Sequence, residues 1–93
     1  MKILHVHDQP RFQGGVERIL FDMASSLQSR GKQGLLFTDG GSDPEYFEPF
    51  DWQGMSITEA VKQFKPDVAI IHKVSDAWLI QEVTTRVPTL MFV

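Results

Sequence analysis

Ninety-three residues, 42% hydrophobic and 23% charged, describe one globular unit and exclude a disordered segment. Nine basic against twelve acidic residues give a net charge of −3, which argues against a nucleic-acid or anionic-membrane surface. With no cysteine there is no disulfide framework and no thiolate chemistry.

A cysteine-free chain fits a reducing, cytoplasmic setting. Its start, Met1-Lys2-Ile3-Leu4-His5, is too short and polar for a signal peptide, and no apolar run approaches the roughly 20 residues of a membrane span. The acid is unevenly placed. Asp39, Asp43, Glu45, Glu48 and Asp51 share one stretch without a basic residue.

Residues 2–7 read as a buried strand of aliphatic and β-branched side chains without turn formers. Pro10 and the pair Gly14-Gly15 mark a loop. Residues 16–30 read as a helix. Val16, Ile19, Leu20, Met23, Ala24 and Leu27 form one stripe, Glu17 sits in the first turn and Arg30 in the last. Gly31 is expected as a left-handed stop.

A second strand is predicted over 33–38 around Leu35-Leu36-Phe37, followed by a loop from Asp39 to Pro44. Tyr46, Phe47, Phe50 and Trp52 suit either a short edge strand or a packed lid. Ser56-Ile57-Thr58-Glu59 is a capping box, opening a helix that buries Ile57, Ala60, Val61 and Phe64. Pro66 ends it.

Val68-Ala69-Ile70-Ile71 is a continuous apolar run, as in a strand covered on both faces. Ser75 or Asp76 caps a third helix through Val83, and a last strand is predicted over 89–93. Strands alternating with helices imply parallel βαβ units and an α/β, Rossmann-like three-layer sheet with the first strand central. Ligands of such sheets bind beyond the carboxyl ends of the strands, where His7 and His72 are expected. The final strand lacks a covering helix, so the chain is expected to be the front of a larger domain.

The turn Gly14-Gly15 carries the most chemistry. It puts free N–H groups and a helix dipole at the end of a strand, where phosphate or a sugar hydroxyl can be held. The dinucleotide motif G-x-G-x-x-G is absent, since Phe12 and Arg18 occupy its flanking positions.

Lys2-Ile3-Leu4-His5-Val6, Gly14-Gly15-Val16-Glu17-Arg18, Leu27 with Arg30-Gly31, and Lys65-Pro66-Asp67-Val68 with His72 resemble the N-terminal domain of retaining, GT-B-fold glycosyltransferases of family four. The resemblance covers nearly the whole chain. It implies a nucleotide-sugar donor, a saccharide or lipid-linked acceptor, and an active site shared with a C-terminal domain of the same parent protein. In that family the C-terminal domain grips the donor through Glu-x7-Glu, a spacing absent here. It implies no metal and no cofactor beyond the donor, and a full-length protein that is cytoplasmic or peripheral to the membrane. The fragment alone is expected to be inactive.

On this basis Gly14, Gly15, Glu17 and His72 are the candidate substrate- or donor-phosphate-binding residues. His7, Arg11 and Lys73 are weaker candidates. Glu17 also suits a plain dipole partner, and it would repel a phosphate seated on the helix end. Three imidazoles, His5, His7 and His72, invite zinc, but a backbone-bonded His5 accounts for the same spacing. Asp39, Gly41 and Asp43 followed by Pro44 do not make a calcium loop. Two other functions compete: a stand-alone phosphate- or nucleotide-binding module of flavodoxin or receiver type, and an interaction fragment that forms homodimers through its open sheet.

Overall fold

The computed structural model describes residues 1–8, 10, 12, 14–38 and 43–91, the side chain of Lys73 excepted. Five strands are present: β1 (Lys2–His7), β2 (Lys32–Phe37), β3 (Trp52–Gly54), β4 (Val68–Lys73) and β5 (Thr89–Met91). They form one all-parallel sheet in the order β3-β2-β1-β4-β5. The central position expected for β1 is therefore observed. The predicted edge at 92–93 lies outside the described residues.

Helix α1 (Gly15–Leu27) follows β1 and tightens into a 3-10 turn at Gln28–Arg30. Helix α2 opens as Ile57–Glu59 and widens into a π-helical turn, Ala60–Phe64. Helix α3 (Ala77–Arg86) joins β4 to β5.

The alternation of side chains along β1 separates two cores. Leu4 and Val6 face one side, where Leu36, Ala69 and Ile71 of the neighbouring strands meet Ala60 and Phe64 of α2 and Val83 of α3. On the other side Leu35 packs with Leu20 of α1 and with Tyr46, from a 3-10 turn at Pro44–Phe47. The sequence left the aromatic stretch open between strand and lid, and the structure divides it. Tyr46 is fully buried core, whereas Trp52 begins edge strand β3 and stacks on Phe64.

Local signals hold at most helix ends. Ser56 Oγ accepts the Glu59 N–H at 3.3 Å, and Asp76 Oδ1 accepts from Trp78 N and Leu79 N. Ahead of Pro66, Lys65 takes the left-handed conformation (φ 54, ψ 62) and donates its N–H to the Ala60 carbonyl.

Gly31 corrects the sequence reading. It is extended (φ 170, ψ 177) and not left-handed. Its lack of a side chain answers a long-range contact, because a Cβ there would strike the Met1 carbonyl oxygen. The α1 stripe is also only partly right. Leu20 and Ala24 are buried, but Val16 and Ile19 stay exposed, and Glu17 is buried in their stead.

Leu90 is 63% exposed. Its register partner Ile70 places it on the α1 side of the sheet, beyond the reach of that helix. No described helix is long and apolar enough to cross a membrane.

Candidate functional site at the carboxyl edge of the sheet

From β1 the connections run through β2 to β3 on one side, and from β4 to β5 on the other. The strand order therefore reverses between β1 and β4, which is where doubly wound sheets open a crevice. His5 and His7 of β1 and His72 of β4 gather there, on the α1 side.

The Gly14-Gly15 turn leads from this edge into α1. Gly14 is the N-cap, with extended backbone (φ −165, ψ −168) and no side chain capping the helix. A Cβ on Gly15 would meet nothing within 4 Å. A Cβ on Gly14 would make an ordinary 3.4 Å contact with Glu17 Oε1. The fold itself therefore does not demand glycine at either position, and both residues are exposed.

The Glu17 carboxylate stays beside the helix end, its Oε1 3.4 Å from where a Cβ on Gly14 would lie, while its Oε2 accepts from His7 Nε2 at 2.8 Å, with both residues buried. The repulsion expected between Glu17 and a phosphate on α1 therefore stands, which favours a sugar hydroxyl at the turn. Arg18 instead pairs with Asp22 at 3.6 Å and lies over the Phe12 ring. Tyr46 donates its hydroxyl to the Glu17 carbonyl at 2.7 Å, and burial followed by the Glu17 charge pushes its pKa up. With Nε2 committed to Glu17, His7 Nδ1 has no partner among the described residues.

His72 belongs to a second chain of bonds. Gln33 Nε2 donates to the Leu27 and Gly31 carbonyls, both at 3.3 Å, so its Oε1 is an acceptor. His5 Nε2 donates to that oxygen at 2.7 Å. Neutral His5 therefore carries its lone pair on Nδ1, and His72 Nε2 donates to it at 3.0 Å. The tautomers of both rings are fixed from Gln33 outward.

Burial lowers the pKa of His5. Burial, then His5 and His7, push His72 down to about 3. A β-bulge assists the arrangement. Val6 pairs with Ile71 but His7 with Lys73, so His72 is the extra residue of β4.

Asp8 closes the edge from above. Its Oδ1 accepts from Thr38 Oγ1 at 3.0 Å, and its Oδ2 lies 3.4 Å from both Ser75 N and Ser75 Oγ. This carboxylate ties the ends of β2 and β4 across β1.

Of the sequence-predicted residues, Gly14, Gly15 and Glu17 share the β1–α1 turn. His7 joins them through Glu17, and His72 lies in the neighbouring relay. Arg11 lies outside the described residues, as does the side chain of Lys73. The zinc alternative meets a different arrangement. The His5 and His72 rings hydrogen-bond each other, and no group of three His, Asp or Glu among the described residues is placed to hold a metal ion.

The acidic stretch is partly structural. Asp43 Oδ2 accepts from Phe12 N, and Asp51 Oδ2 from Gln33 N, both at 2.9 Å. Its residues 39–42 lie outside the described residues.

Sequence reasoning missed Gln33 and Asp8 as organisers of the edge. The one available signal for Gln33 was a lone amide at the start of the apolar run of β2. Comparison with protein-family models, curated proteins and solved structures finds no match.

Proposed function

We infer that this chain is the acceptor-side, N-terminal part of a retaining GT-B glycosyltransferase. Its parent would move a sugar from a nucleotide-sugar donor to a saccharide or lipid-linked acceptor, with a C-terminal domain holding most of the donor. One observation carries the proposal. An α1 N-terminus that no side chain among the described residues caps lies at the switch point of a Rossmann-order sheet, behind two glycines that the fold does not require.

The Glu17–His7 hydrogen bond adds support. Among the described residues Glu17 makes no hydrogen bond to the Gly14 or Gly15 amides, although its Oε1 lies beside Gly14, and it gives His7 a defined orientation. Glu17 is thus a positioning residue acting through His7, not a direct contact.

A flavodoxin- or receiver-type module is less well supported. Those folds place their third strand beside the first, whereas here β2 lies between β1 and β3.

The test is an amide-resolved NMR titration of the chain with uridine diphosphate glucose and guanosine diphosphate mannose. Weak, saturable shifts confined to Gly14, Gly15 and Val16 are expected, lost in Gly15→Ala while its unfolding midpoint is kept or raised. Tight nucleotide binding by this chain alone would favour a stand-alone module. Unmoved glycine amides would remove the proposal.

A further inference from the structure

On the opposite side of the same sheet edge lies a second concavity that the transferase proposal does not use. It is an open groove of about 410 Å³, within the size range of small-molecule sites. Thr38 at the end of β2, Met55 and Ser56 between β3 and α2, and Asp76, Trp78 and Glu82 of the α3 region line it.

Trp78 is 71% exposed and Met55 54%, although a tryptophan normally buries most of its surface. Trp78 and Glu82 are four residues apart, so indole and carboxylate share one helix face.

The polar groups have defined roles. Thr38 spends its hydroxyl hydrogen on Asp8, which leaves lone pairs. Ser56 Oγ accepts from Glu59 N, which leaves its hydrogen to donate. Asp76 uses Oδ1 to cap α3, and Oδ2 has no partner among the described residues. Glu82 is held by Arg86 at 3.3 Å.

The lining contains two carboxylates and neither lysine nor arginine. It repels phosphate and nucleotide but supplies acceptors for hydroxyl hydrogens, a donor, and an aromatic face for a ring carrying axial C–H groups. We propose that this groove binds a saccharide without negative charge, stacked on Trp78 and hydrogen-bonded by Glu82, Asp76 and Ser56. A concave, mixed polar lining of this volume fits a sugar unit better than the flat apolar face of a protein partner.

Trp52→Phe leaves Trp78 as the single indole of the chain. Acrylamide quenching is then followed on adding methyl glucoside, glucosamine, glucose 6-phosphate and uridine diphosphate. Methyl glucoside and glucosamine are expected to lower the quenching constant at least two-fold at millimolar concentration and to shift the emission to the blue. The two phosphates should leave both unchanged. Glu82→Gln should weaken the protection several-fold without moving the unfolding midpoint.

If Trp52→Phe does not fold, 5-fluorotryptophan in the native chain, assigned with Trp78→Phe, gives the same readout. No protection by any sugar, equal protection by the phosphates, or shielding that grows with protein concentration alone would each overturn the proposal. The last result would mark a self-association face. The Gly14 and Gly15 amides report separately on the crevice, so either site can fail while the other stands.

Discussion

Mild acid should destabilise this protein steeply, because two imidazoles are buried neutral. His5 is fully buried and His72 is 8% exposed. Both have lowered pKa values, His72 down to about 3 from the ordinary 6.5. In the unfolded chain each takes up a proton as the pH falls through 6.5, whereas in the folded chain His5 resists below that and His72 resists down to about 3.

The neutral relay therefore contributes its full stability above 6.5 and loses it progressively below, toward the folded value. Between about pH 7 and about pH 5 His72 costs about 2 kcal/mol, and His5 adds a loss in the same direction. The whole domain has roughly 5–14 kcal/mol at its disposal. Urea unfolding followed by circular dichroism across this interval measures the loss directly. His72→Gln should remove about 2 kcal/mol of the pH dependence over this interval, since that titrating ring is gone. A stability that is flat across the interval, or an unchanged slope in His72→Gln, would refute the buried neutral relay.

Gln33→Leu leaves the His5 Nε2–H buried without an acceptor and should cost about 1–3 kcal/mol. Side-chain nitrogen NMR should then show His5 and His72 no longer locked in single tautomers. Gly34→Ala would place a Cβ 2.8 Å from Phe64 Cε2 and should destabilise by about 1–3 kcal/mol, with Phe64→Leu recovering part of the loss. Lys65→Gly relieves a left-handed side-chain residue and should raise stability by up to about 1 kcal/mol in the same urea assay.

The elements were legible because they rest on local chemistry. The apolar run of β4, the α1 period, the Ser56 and Asp76 caps and Pro66 each act within a few residues. The site was legible only in outline. Gly14-Gly15 could be located from the turn, but Glu17 meets a histidine ten residues back, and His72 bonds His5 across 67 positions. Such pairings follow from strand order and from the bulge at His72, and periodicity encodes neither. Gly31 failed for the same reason, since the Met1 carbonyl that excludes its Cβ arrives from the residue just ahead of β1. Val16 and Ile19 extend a regular stripe, yet a stripe says nothing about how much sheet lies beneath it.

The two faces of the sheet differ in kind. The α2–α3 side is a continuous apolar core, whereas the α1 side sets Gln33, His5, His72, His7 and Glu17 among a few apolar residues. Buried polar sets of this sort are costly when one member is removed, but often neutral or better when all members give way to apolar groups of similar volume. The combined variant Gln33→Leu, His5→Leu, His72→Leu should therefore lie within about 1 kcal/mol of the native stability at neutral pH, or above it. Leu27 and Gly31, whose carbonyls lose the Gln33 amide, are half-buried residues that water can reach. The variant should also lose the acid sensitivity. If it folds this well, stability does not account for the relay, and its value lies in presenting an oriented His72 beside the crevice. Should the triple replacement instead lose several kcal/mol, the relay is a structural fixture and His72 loses its claim as a ligand-facing residue.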